Sequence, residues 1–98
     1  MKILIDTNIL VYAYDPVEVD HQEKAIQLLD YLHLSGTGRL SAQCLAEFFS
    51  ATTRPSHQSP PRLTPNEAFQ AIEKMIRHFE VYPLTSMTIL EACRGVRD

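Results

Sequence analysis

The sequence predicts an α/β fold, a central parallel sheet flanked by helices in three layers, and three observations carry that prediction. Short apolar runs alternate with longer segments of helical period, in the order β-α-α-β-α-α-β-α. Helices stand between the strands, as parallel pairing requires. The first run, Ile3-Leu4-Ile5, is continuously apolar, as a strand covered on both faces would be.

Lys2 to Ile5 reads as a central strand that breaks off at Asp6-Thr7-Asn8. Thr7 or Asn8 can cap a short helix through about Tyr14, and Asp15-Pro16 breaks it. From Asp20 to Leu34 the apolar positions Ala25, Ile26, Leu28, Leu29 and Leu32 suit a helix of several turns, ended by Ser35-Gly36-Thr37-Gly38. Arg39-Leu40-Ser41 is a short second strand. Ser41 can cap a helix from Ala42 to about Thr53, with Leu45, Phe48, Phe49 and Thr52 on one face. Pro55 to Arg62 is too rich in Pro and Ser to join either neighbouring helix. Thr64-Pro65 with Glu67 reads as a capped start, and Ala68, Phe69, Ile72, Met75, Ile76 and Phe79 form the cleanest amphipathic stripe. Glu80 to Leu84 is a third strand, and Thr85 or Ser86 caps a last helix with Ile89, Leu90, Cys93 and Val96 inside.

The 98 residues, 45% hydrophobic and 21% charged, suffice for one domain spanning 1–98, without internal repeats. No leader and no membrane span is read, because Asp6 interrupts the only long apolar segment; the expected compartment is cytoplasmic. Cys44 and Cys93 form no ligand pattern with the scattered His21, His33, His57 and His78, so the thiols read as packed helix residues. A net charge of −3 gives no global attraction for nucleic acid, so RNA binding would need a local basic strip or metal ions that neutralise phosphate.

Asp6 is the sharpest chemical candidate. In open α/β sheets the ligand crevice lies outside the carboxyl ends of the strands, and a carboxylate there, beside a helix N-terminus, suits a hard divalent cation. A simple helix cap explains its position equally well, and the same holds for Thr7 and Asn8. Glu47 falls on the polar face with Gln43, Ser50 and Arg54; a solvated glutamate and a cleft-lining one are both compatible with that periodicity.

An apolar strand into Asp6-Thr7-Asn8, a helix of moderate length, then Leu40-Ser41-Ala42-Gln43-Cys44-Leu45-Ala46-Glu47-Phe48 resembles the first half of a PIN domain. Within that superfamily it is most similar to the VapC-type toxins of toxin–antitoxin pairs. The separation of 41 residues between Asp6 and Glu47, and the helix–strand–helix through Val81-Tyr82-Pro83-Leu84, fit the same group. The resemblance covers the whole chain in order of elements, with specific motifs only at Asp-Thr-Asn and from Ser41 to Glu47.

It implies a Mg²⁺- or Mn²⁺-dependent endoribonuclease in which three or four acidic residues gather the metal at the carboxyl edge of the sheet. The first two match Asp6 and Glu47, with Thr7, Asn8 and Ser41 in support. An RNA substrate and an antitoxin partner are implied with them. The third acid of the family comes at the start of a helix beyond the one near Thr85, and a fourth follows with the last strands; this chain ends before either. Asp98 does not match the third position, and Glu91 reads as a solvated partner of Arg94 or Arg97. The expectation is therefore a PIN-like domain lacking its C-terminal helix and strands, with an uncovered edge beside the first strand that favours a homodimer or other edge-mediated association.

The competing expectation is a catalytically inactive module that binds a partner protein through the helix from Pro65 to Phe79 or through the exposed edge. A phosphotransferase of haloacid-dehalogenase type would have a second Asp where Asn8 stands, and no GxGxxG or GxxxxGK[ST] motif suggests nucleotide binding.

Overall fold

Three of the described helices begin where a side chain, of Asp6, Ser41 or Thr64, takes up a free backbone N–H group. The computed structural model describes residues 1–55 and 60–83. It contains β1 (Ile3–Leu4), α1 (Thr7–Ala13), α2 (Val19–Ser35), β2 (Gly38–Ser41), α3 (Ala42–Thr53), α4 (Pro65–His78) and β3 (Glu80–Tyr82). The helix expected from Thr85, with Ile89, Leu90, Cys93 and Val96, lies outside the described residues, as do Leu84, Glu91, Asp98 and residues 56–59 of the Pro/Ser segment.

Ser41 Oγ accepts the Cys44 N–H at 3.0 Å and starts α3. Thr64 and Glu67 form the full capping box, with Pro65 at the first helical position of α4. The end of α2 needs a residue of positive φ, and Gly36 supplies it at 69°. Gly38 is required for a different reason. A Cβ there would lie 2.8 Å from the Phe79 ring and 3.0 Å from Leu32 Cβ, so only a bare backbone lets β2 approach them.

The strands lie in the order β1-β2-β3, all parallel, with Ile3 opposite Gly38, Leu40 opposite Val81 and Ser41 opposite Tyr82. Ile3, Ile5, Leu40 and Val81 share one face and enter a single core with Leu10, Leu32, Phe48, Ala71 and Met75, so all four helices contribute to it. Phe48, Leu10 and Leu40 are fully buried, each stabilising the fold by about 1.5–3 kcal/mol over an exposed side chain.

On the opposite face, which the sequence leads one to expect covered as well, the described helices give no cover. Leu4 is 49% exposed, and the Arg39–Glu80 ion pair (3.1 Å) spans the strands there; the described helices form one layer against the sheet and not two. The inner faces of the helices are also narrower than their apolar patterns. Ile26 and Leu28 on α2, Phe49 on α3, and Phe69 and Ile76 on α4 are exposed. Helix α4 docks through Ala68, Ala71 and Met75, and the two alanines permit close approach, so Phe69 and Ile76 are left at the flanks.

A separate contact ties the end of α1 to the segment before α4. The buried Asp15 accepts the Val17 N–H at 3.0 Å and pairs with Arg62 at 3.3 Å, while the Leu63 N–H donates to the Thr52 carbonyl at 2.9 Å. Burial alone would raise the Asp15 pKa, but the Val17 N–H and the Arg62 guanidinium outweigh it and hold the carboxyl below its ordinary value.

Candidate functional site

The β1–β2 pairing decides where the first candidate side chain emerges. The Ile5 N–H donates to the Arg39 carbonyl at 2.9 Å, and the chain then turns out of the sheet at Asp6. Asp6, not Thr7 or Asn8, is the N-cap of α1: its Oδ1 accepts the Asn8 N–H at 2.8 Å. Of the caps the sequence allows, the structure takes Asp6 and not Thr7 or Asn8, and the consequence is chemical. Thr7 becomes the first helical residue, and its hydroxyl, not needed for capping, reaches across to α3.

That hydroxyl lies 3.0 Å from Glu47 Oε2 and 3.3 Å from Cys44 Sγ. It has one proton, which the charged carboxylate attracts more strongly than the thiol sulfur does. The other carboxylate oxygen, Glu47 Oε1, accepts from Gln43 Nε2 at 3.0 Å, one helical turn back on α3. Cys44 faces inward, its thiol 3.6 Å from the Ile5 carbonyl. Ser41 controls the arrangement from below, because its cap sets where α3 begins and hence which side Cys44 and Glu47 face.

The result is an open cleft of about 540 Å³ at the carboxyl end of β1, lined by Asp6, Thr7 and Asn8 on one side and by Ser41, Gln43, Cys44 and Glu47 on the other. The structure thus brings together all five residues singled out in the sequence, although 41 positions separate Asp6 from Glu47. Among the described residues, Asp6 and Glu47 are the charged ones in the lining, and no Lys or Arg joins them. Such a cleft repels a phosphodiester and attracts cations. Its donors to a cation are oxygens, as Mg²⁺ and Mn²⁺ prefer, so the residues present fit such an ion. Among the described residues no group of three His, Cys, Asp or Glu side chains gathers to hold one.

Cys44 is not poised as a nucleophile. Burial pushes its thiol pKa up, the Thr7 hydroxyl opposes this, and the neighbouring Glu47 and Asp6 carboxylates raise it further, so the thiol stays protonated at neutral pH. Cys44 is a packed helix residue, as its sequence context suggests.

Gln43 is a site residue that the sequence motifs do not mark; its one signal there is its position four residues before Glu47 on a polar face. The histidines, scattered in the chain, are not all scattered in space. His33 on α2 and His78 on α4 have ring centroids 4.7 Å apart, and each Nδ1–H donates to a main-chain carbonyl, of His78 and Lys74 respectively. They border a second hollow of about 430 Å³ between α1, α2 and α4, with Leu10, Tyr14, Ile26, Leu29 and Met75 in its walls.

A scan against models of known protein families and a search of curated proteins each return no match. The fold and cleft define an α/β protein in which the described strands form a parallel three-stranded sheet and two carboxylates line one cleft at its carboxyl edge. No helix among the described residues is long and apolar enough to cross a membrane.

Proposed function

We propose that this protein is a PIN-type, VapC-like endoribonuclease that hydrolyses RNA phosphodiester bonds with Mg²⁺ or Mn²⁺, the toxin of a toxin–antitoxin pair acting in the cytoplasm. The observation that carries the reading is the Thr7–Glu47 hydrogen bond at 3.0 Å, which joins the residue following Asp6 to the second carboxylate in one cleft. The sequence resemblance pairs the same two acids.

Asp6 and Glu47 would hold the cation, Asp6 through the oxygen that its cap bond leaves available. A bound divalent ion supplies Lewis acidity and offsets the phosphodiester charge. The chain's own residues prepare that site. The Asn8 N–H fixes the Asp6 carboxylate and the Thr7 hydroxyl fixes Glu47, and a cation held between them would make this acidic lining receptive to phosphate.

The hollow between α1, α2 and α4 supports the partner half of the proposal. Its walls are largely aliphatic and aromatic, with Asp30, Lys74, His33 and His78 at intervals, a combination suited to an apolar anchor of an antitoxin chain. The same hollow favours the second reading, an inactive module that only binds a partner.

Cleavage of single-stranded RNA separates the two. The expected result is activity that requires Mg²⁺ or Mn²⁺ and disappears in Asp6→Ala and in Glu47→Ala. Cleavage insensitive to chelator would overturn the enzyme reading, and tight partner binding without metal-dependent turnover would favour the inactive module.

A further inference from the structure

We propose that Gln43 is a positioning residue for Glu47, holding its carboxylate in the orientation in which it meets a divalent cation. This inference rests on the cation reading of the cleft and adds to it a residue that the PIN resemblance does not assign.

Glu47 is exposed and carries three side-chain torsions, so nothing in its burial fixes where its carboxylate points. Two hydrogen bonds do so instead, one to each oxygen: Thr7 Oγ1 to Oε2 at 3.0 Å and Gln43 Nε2 to Oε1 at 3.0 Å. The two donors differ in how firmly they are themselves held. Thr7 is half-buried at the start of α1 with a short β-branched side chain, whereas Gln43 is exposed, and its amide nitrogen is placed by the regular one-turn spacing on α3.

With both oxygens engaged the carboxylate plane is set, and each oxygen keeps a second lone pair for a cation. Partners of this kind around a ligating carboxylate commonly set its affinity for metal. Loss of the Gln43 donor would leave Glu47 pivoting about a single bond to Thr7. The rotamer freedom it regains would then have to be surrendered when a cation binds.

Mn²⁺ binding to the 98-residue protein, followed by electron paramagnetic resonance of the free ion, tests this without reference to RNA cleavage. Gln43→Met keeps the length of the side chain and removes the donor, and Gln43→Ala removes both. Each is expected to raise the Mn²⁺ Kd by about threefold to tenfold, the range that corresponds to restoring the freedom of one long side chain. The melting temperature should remain that of the parent, because Gln43 is exposed. Kd values within twofold of the parent in both variants would overturn the proposal. Weaker binding that tracks a lower melting temperature would overturn it too, by assigning Gln43 a structural role. If the parent binds Mn²⁺ no better than Asp6→Asn does, the cation reading of the cleft falls and Gln43 has nothing to position. Parent binding that both Gln43 variants leave unchanged overturns only the inference about Gln43.

Discussion

Asp6 does two jobs at once, and two substitutions at that position should separate them. As the N-cap of α1 its Oδ1 takes the Asn8 N–H at 2.8 Å; as a cleft carboxylate it offers negative charge. Asp6→Asn keeps a side-chain oxygen in the same place, and Asn and Asp cap equally well, so the helix start survives. Losing the charge removes a favourable interaction with the helix dipole, worth about 0.3–1 kcal/mol, but also relieves repulsion with Glu47, and the two changes oppose each other. Asp6→Ala removes the cap itself, at about 0.5–2 kcal/mol. In a domain of this size about 1 kcal/mol moves the melting temperature by roughly 4–8 °C. Thermal unfolding followed by circular dichroism should therefore place Asp6→Asn within about 2 °C of the parent, on the same scale. Asp6→Ala should melt several degrees lower, and both should lose Mn²⁺ binding and metal-dependent RNA cleavage. An Asn variant as unstable as the Ala variant would refute the cap argument. An Asn variant that still cleaves RNA with Mn²⁺ would refute the ligand role of the carboxylate.

The Asp15–Arg62 pair should give the fold a measurable acid sensitivity. The folded-state pKa of Asp15 lies below its ordinary value of 3.8, so the stabilisation is present in full above that value and is lost as pH falls through the folded pKa. Arg62→Ala should cost about 1–2 kcal/mol near neutral pH, between an exposed ion pair and a hydrogen bond to a buried charge, and the gap from the parent should narrow below about pH 4 in urea titrations. A gap that widens with acid would contradict this sign. The outer edge of β1 pairs with no described strand, so light scattering should detect dimers whose fraction rises with concentration; a monomer at high concentration would count against edge-mediated association.

Much of the fold was legible because its punctuation is local. Ser41, the Thr64-Pro65-Glu67 box and Gly36 act through bonds to their own helix, within a few residues of sequence, and the boundaries they mark hold to within a residue or two. What the pattern could not specify was the width of each buried face. Periodicity counts Phe69 and Ile76 as equals of Ala68 and Met75, but which of them touches the core depends on how closely α4 approaches its neighbours. Ala68 and Ala71 decide that approach, and small residues leave little mark in an amphipathic pattern. The continuous apolar run Ile3-Leu4-Ile5 suggested two covered faces for the same reason: hydrophobicity records what a residue can bury, and here Leu4 is half exposed among the described residues.

The candidate site was legible in its members and not in its wiring. In the sequence Asp6 as a cap and Asp6 as a cleft acid read as alternatives, yet the geometry makes the first the condition for the second. Capping commits Oδ1 to the Asn8 N–H and thereby directs the carboxylate; it also moves Thr7 to the first helical position, where its hydroxyl reaches Glu47. Had Thr7 capped the helix, its hydroxyl would have been engaged by its own backbone, and Glu47 would retain only the exposed Gln43 bond. The one-residue difference in where α1 begins therefore determines whether the second carboxylate is held from both sides or from one.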